Sequence, residues 1–188
     1  MRLIHSGTLY RDLRDPRPLF RALSALERKG CVDAKRLQVI FRASGNDEYY
    51  RGLAHSERVE SLVRFEQGIA HSDAVREMLA ADGLLLLQAS SANNQIPAKV
   101  YEYLRAGRPI LALTDGNGET ARLLREAGIE SVAQFDDVDS IARVIESFLV
   151  SIEADSWRAP KAAFVKSCSR EARAAELASV LHATLQVE

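Results

Sequence analysis

Short apolar runs alternate with helically spaced apolar positions along the whole chain. Residues 3–5 (Leu-Ile-His) read as a first strand that ends at Ser6-Gly7-Thr8. Leu19, Phe20, Leu23 and Leu26 then recur at i, i+1, i+4 and i+7, one face of a helix. Asp15 and Pro16 stand where a cap and a first-turn proline belong, and Gly30 can stop the helix. Residues 37–41 are a second strand, a polar helix is expected over 47–55, and residues 62–65 are a third strand. Ser72 or Asp73 can cap a helix carrying Ala74, Val75, Met78 and Leu79. Four consecutive leucines, 84–87, form a fourth strand that is apolar on both faces and hence central. Pro97 opens a helix that runs to Ala106 before Gly107, and residues 110–113 are a fifth strand. A helix through Leu123 and Leu124 follows, then a sixth strand over 132–135. Asp136 and Asp137 are placed to cap an amphipathic helix carrying Ile141, Val144, Ile145, Phe148 and Leu149. Trp157 and Pro160 mark a break, and a final helix carries Ala174, Leu177, Leu181 and Leu185.

Repeated strand–helix alternation implies parallel strands joined by right-handed crossovers. The expected fold is therefore α/β: a doubly wound, mainly parallel six-stranded Rossmann-like sheet with helices on both faces. A chain of 188 residues suits one such domain, with a C-terminal helical segment from about residue 158 to 188. Ligands of open α/β sheets bind at the carboxyl ends of the strands. That rule points to the loops over residues 6–14, 43–47, 66–72, 88–98 and 114–120.

Composition narrows the partners. The net charge of -1 gives no electrostatic reason to expect nucleic acid. No run approaches the roughly 20 apolar residues of a membrane span. Two distant cysteines, Cys31 and Cys168, in no metal-like spacing, suit a reducing cytoplasm. His5 and His55 have no metal-like partners, and no GK[ST] phosphate loop occurs.

The loop after the fourth strand feeds a helix whose N-terminus offers free N–H groups and partial positive charge, a place for a diphosphate. Pro97 has no N–H, so Ala98 and Lys99 are the expected donors, with the Lys99 side chain adding a charge. Glu102, about a turn further on, can accept from two vicinal ribose hydroxyls. The first loop carries Gly7, Thr8, Arg11, Arg14 and Arg17; Gly7 would let the backbone approach a phosphate, and which arginine reaches it is open. His71, near Gly68, is a candidate contact at a strand end.

Residues 94–110, Asn-Gln-Ile-Pro-Ala-Lys-Val-Tyr-Glu-Tyr-Leu-Arg-Ala-Gly-Arg-Pro-Ile, resemble the signature region of GT-B glycosyltransferases of the family-4-like group. Glu102, Gly107 and Pro109 match that pattern, and the opening His5–Tyr10 stretch with Arg14-Asp15-Pro16 resembles the first strand and glycine loop of the same domain. The resemblance covers nearly the whole chain in element order. It implies the C-terminal, donor-binding half of a GT-B enzyme, without its N-terminal acceptor-binding domain. It further implies a nucleotide diphosphate-sugar as substrate, no metal cofactor, a retaining reaction, and a nucleobase lying near His71. The family's first acid, eight residues before Glu102, is Asn94 here, which puts the sugar and the usual catalytic geometry in question. The rival readings are an epimerase or phosphorylase of the same architecture and a non-catalytic flavodoxin-like module. Apolar surface on the last helix and self-association are also expected.

Overall fold

A computed structural model describes residues 1–185. Six strands, β1 (Arg2–Ser6), β2 (Gln38–Arg42), β3 (Val63–Glu66), β4 (Gly83–Leu87), β5 (Ile110–Leu113) and β6 (Val132–Ala133), form one sheet in the order β3-β2-β1-β4-β5-β6. Every neighbouring pair is parallel. The chain therefore winds outward from β1 to one edge, crosses back beside β1 at β4, and winds to the other edge. That crossing is the topological switch point, where adjoining loops diverge and leave a crevice.

Period-two alternation divides the core. Leu3, Leu85, Leu87, Leu111 and Leu113 point to one face, where they pack with α1 (Arg17–Arg28) and α6 (Val138–Glu153). Ile4, Leu84, Leu86, Ile110 and Ala112 point to the other, against α4 (Ala98–Ala106) and α5 (Glu119–Glu126). All of β4 is buried, as a strand covered on both faces must be. Gly83 is required there by packing: a Cβ would lie 2.9 Å from the Phe148 ring and 3.1 Å from Leu3.

The remaining helices are α2 (Asp47–Ser56), α3 (His71–Ala80), α7 (Ala162–Ser167) and α8 (Arg170–Leu185). Helix ends follow the expected chemistry at several points. Gly107 takes the left-handed conformation that ends α4, and Asp137 accepts from the Ser140 N–H, whereas at α1 the capping position falls on Pro16 and has no side-chain cap, with Asp15 one residue earlier accepting from the Arg17 N–H.

Three local expectations change. The residue capping α3 is Ala70, so Ser72 and Asp73 lie inside its first turn, and Leu79 is exposed. Asp136 does not cap α6; it accepts from the Gln134 side chain. The sixth strand stops at Ala133; a turn from the Asp137 N–H to the Gln134 carbonyl follows, and the Gln134 side chain accepts from the Gly116 N–H of the neighbouring loop. The final helix carrying Ala174, Leu177, Leu181 and Leu185 forms as α8, started by the Ser169 hydroxyl, which accepts from the Ala172 N–H, and the short α7 precedes it in the same helical segment. No helix among the described residues is long and apolar enough to cross a membrane.

Candidate functional site

The candidate site lies at the carboxyl ends of β1 and β4. The ladder between these strands pairs Leu3 with Gly83 and Ile4 with Leu84, then stops. The next parallel rung would run from the Ser6 N–H to the Leu85 carbonyl. Side chains take both groups instead. The Ser6 N–H donates to the Tyr103 hydroxyl at 3.3 Å, and the Leu85 carbonyl accepts from His5 Nδ1 at 3.0 Å. Since a carbonyl only accepts, His5 carries its proton on Nδ1 and presents a lone pair at Nε2. Lys99 Nζ lies 3.3 Å from that nitrogen.

Gly7 follows directly, with φ +117, a conformation that L side chains rarely adopt. A Cβ built there would sit 3.0 Å from Lys99 Nζ. The missing side chain is thus what lets the amine approach the β1 loop. The Gly7 N–H donates to the Arg42 carbonyl at 2.8 Å, which ties the loop to β2.

Burial sets the charges. His5 is fully buried, and desolvation, with Lys99 beside it, pushes its pKa well below the usual imidazole range. Lys99 is partly buried. Desolvation first, then the Arg14 guanidinium, lower its pKa to about 7, and Glu102 offsets part of this. The fully buried Tyr103 hydroxyl is pushed up and stays neutral.

Four of the expected residues therefore come together here: Gly7, Arg14, Lys99 and Glu102. Arg14 is held by a bond from Nη1 to the Thr8 carbonyl, 2.9 Å, and lies over the Tyr10 ring at 5.2 Å. Glu102 is exposed on α4 on the Lys99 side. Ala98 and Lys99 begin α4, where their N–H groups have no intrahelical acceptor and Pro97 supplies no side-chain cap. Thr8 turns its methyl towards Gly45, whose Cβ would be 3.0 Å away.

Other expected residues are engaged elsewhere or stand apart. Arg11 stacks on Tyr49 of α2, 4.0 Å from the ring centroid, and Arg17 pairs with Asp15 at 2.5 Å. Asn94 is exposed on the turn before Pro97, and its neighbour Asn93 makes the side-chain bond, to Asp115 at 2.7 Å. His71 is exposed at the first position of α3.

Three residues of the site go unnoticed in the sequence. His5 reads as strand interior, and its meeting with Lys99 spans 94 positions. Tyr103 reads as helix core. Gln88 shapes the loop before α4: its amide donates to the carbonyls of Ala92 and Gln95, both at 2.8 Å, and Thr114 donates to its oxygen. A polar residue directly after an all-leucine strand was the available signal. Among the described residues no group of three His, Cys, Asp or Glu is placed to hold a metal.

A six-stranded parallel sheet with this strand order, switching direction beside β1, defines a Rossmann-like domain. No protein-family model matches the sequence, and no curated protein matches it. Solved structures do. WaaG, a glycosyltransferase involved in lipopolysaccharide biosynthesis, superposes with a TM-score of 0.61 at 18% identity, over 92% of this chain and 43% of its own. The trehalose-6-phosphate synthase OtsA gives 0.57 at 15%, over 83% of this chain and 39% of its own. The catalytic domain of cholesterol-α-glucosyltransferase from Helicobacter pylori gives 0.58 at 14%, over 83% and 90%. The fold is that of one Rossmann-like half of a GT-B glycosyltransferase, and the chain spans less than half the length of WaaG and OtsA.

Proposed function

We propose that this domain binds the donor of a glycosyltransferase, a sugar carried on a nucleoside diphosphate, as the C-terminal half of a GT-B enzyme. The observation that supports it best is the convergence of Gly7, Lys99 and the start of α4 at the switch point. Bare backbone, an amine and first-turn N–H groups face one space there, a combination suited to a diphosphate. Arg14 adds a charge from the opposite loop, and Glu102 stands a turn along α4, where a ribose attached to that diphosphate would lie. Catalysis in this reading is electrostatic: the same groups stabilise negative charge on the departing diphosphate. The family resemblance adds retention of the anomeric configuration, which the product of a transfer reaction reads directly. The acceptor, a polysaccharide or glycoconjugate in this reading, is bound by the other half.

Calorimetric titration with the common nucleoside diphosphates and their parent nucleosides tests the proposal. The diphosphate is expected to bind more tightly, by a margin that shrinks with added salt. Equal affinities would remove the phosphate site. Glu102→Gln is expected to weaken the nucleotide about tenfold, the scale of a hydrogen bond to a charged group, with thermal stability unchanged because the side chain is exposed.

A further inference from the structure

His5 occupies a place in the sheet where backbone would ordinarily bond to backbone. Its ring replaces a rung of the β1–β4 ladder, donates from Nδ1 to Leu85, and turns its only remaining polar atom to Lys99. A buried, neutral ring with both nitrogens committed is a rigid support. The support ends at an amine lying against the bare backbone of Gly7.

We propose that His5 is a positioning residue for the diphosphate: its Nε2 holds the Lys99 amine beside Gly7, and a diphosphate bound there draws a proton from solvent onto that amine. The inference rests on the donor reading above and adds a proton to its binding equilibrium. Near pH 8 the free chain holds Lys99 mainly as the neutral amine, because desolvation and Arg14 bring its pKa to about 7. Glu102 is the one carboxylate that counters them there. A phosphate oxygen beside Nζ supplies further negative charge and favours the ammonium, so one proton is taken up as the complex forms. The other groups facing the pair leave this sign intact. The Arg14 guanidinium, from the β1–α1 loop, disfavours the ammonium with or without ligand, and Tyr103 of α4 stays neutral. The Leu85 carbonyl of β4 does not titrate, and the Phe41 ring of β2, 5.9 Å from His5, carries no charge. Burial keeps His5 itself neutral over this range.

The test uses the full chain, lysine labelled with 13C at the ε position, and inorganic pyrophosphate as probe. Without ligand, the Lys99 resonance, identified by its loss in Lys99→Arg, is expected to titrate near pH 7. Pyrophosphate affinity is expected to fall about tenfold or more between pH 7 and 8.5, following the ammonium fraction. In Lys99→Arg, whose charge does not titrate, that fall disappears; ionisation of pyrophosphate itself is common to both proteins. His5→Leu removes the acceptor and is expected to weaken binding and shift the Lys99 midpoint, while His5→Gln, which restores an acceptor, recovers both. Lys99 titrating at the ordinary lysine value of about 10.4 would overturn the His5–Lys99 pairing while leaving the donor reading standing. A Lys99 midpoint near 7 with no binding of pyrophosphate or any nucleoside diphosphate at any pH would overturn the donor reading, and with it the proton uptake. A pH-dependent fall that persists in Lys99→Arg would assign the proton to another group and overturn the inference alone.

Discussion

At the scale of single residues, Lys99 is placed against the interest of the fold. Its pKa in the folded chain, about 7, lies below its value in an unfolded chain, about 10.4. Between those values the unfolded chain binds more protons, so stability rises with pH from about 7 upward, and below pH 7 the full cost of the buried charge is present. The lowered pKa of His5 acts in the same direction below about pH 6.5. Chemical denaturation at pH 6, 7.5 and 9 is therefore expected to show increasing stability. Lys99→Met is expected to be more stable than the natural chain at pH 6 and to lose the slope above pH 7, while binding pyrophosphate more weakly; functional sites commonly trade stability in this way. Gly7→Ala meets two penalties, an unfavourable φ and the contact with Lys99 Nζ. A loss of about 1–3 kcal/mol in denaturant unfolding is expected, together with weaker diphosphate binding.

At the scale of elements, burial sorts what each helix and strand contributes. Leu85 is fully buried on β4, so Leu85→Ala is expected to cost about 2–5 kcal/mol. In α8 the apolar positions Leu177, Val180, Leu181 and Leu185 are all more than half exposed, and no residue of that helix is buried. Leu177→Glu and Leu181→Glu are therefore expected to change the unfolding free energy by less than about 0.5 kcal/mol. Losses as large as that of Leu85→Ala would show that α8 packs on the core. The same contrast explains what could be read from the sequence. The interior strands β2, β4 and β5 announce themselves because burial on two faces forces unbroken apolar runs, as in residues 84–87, whereas edge strand β3 alternates buried and exposed positions. The edge strand β6, with one neighbour, is shorter than expected, and a turn closed from the Asp137 N–H to the Gln134 carbonyl follows it. The apolar spacing of α8 marks a helix, and the apolar surface expected there is exposed among the described residues. In the candidate site, local patterns point to Gly7, Lys99 and Glu102, which the fold brings together: a glycine after a strand, a helix start, and a turn of spacing. His5 and Tyr103 act through partners distant in sequence, and local patterns hold no trace of such pairs, whereas Gln88 bonds mainly within its own loop and carries a local signal as the polar residue after the leucine run.

At the scale of the whole molecule, all six strands belong to one sheet, and the described residues contain no second sheet to form the opposite wall of a cleft. Positioning two reactants together can supply roughly 7–11 kcal/mol of barrier lowering, and a single wall forfeits most of it. This chain alone is expected to bind a donor with little transfer or donor hydrolysis; robust turnover by these 188 residues would show that one Rossmann-like half suffices. The short β1–β4 ladder has a consequence for motion as well. Within the sheet it joins two sequence-contiguous blocks, β1 to β3 and β4 to β6, through the pairs Leu3–Gly83 and Ile4–Leu84 with side chains completing the rest, while α1 and α6 pack across the same line on one face. Among the strand pairings, β1–β4 is therefore expected to open ahead of the longer β1–β2 pairing that runs from Arg2–Gln38 to Ser6–Arg42, within the limit that the α1–α6 packing sets. A ligand held by Gly7 on one block and Lys99 on the other works as a clasp across it. In amide exchange, bound nucleotide is expected to slow β1 and β4 more than β2 and β3, so that occupancy of the crevice reports how firmly the two blocks are closed.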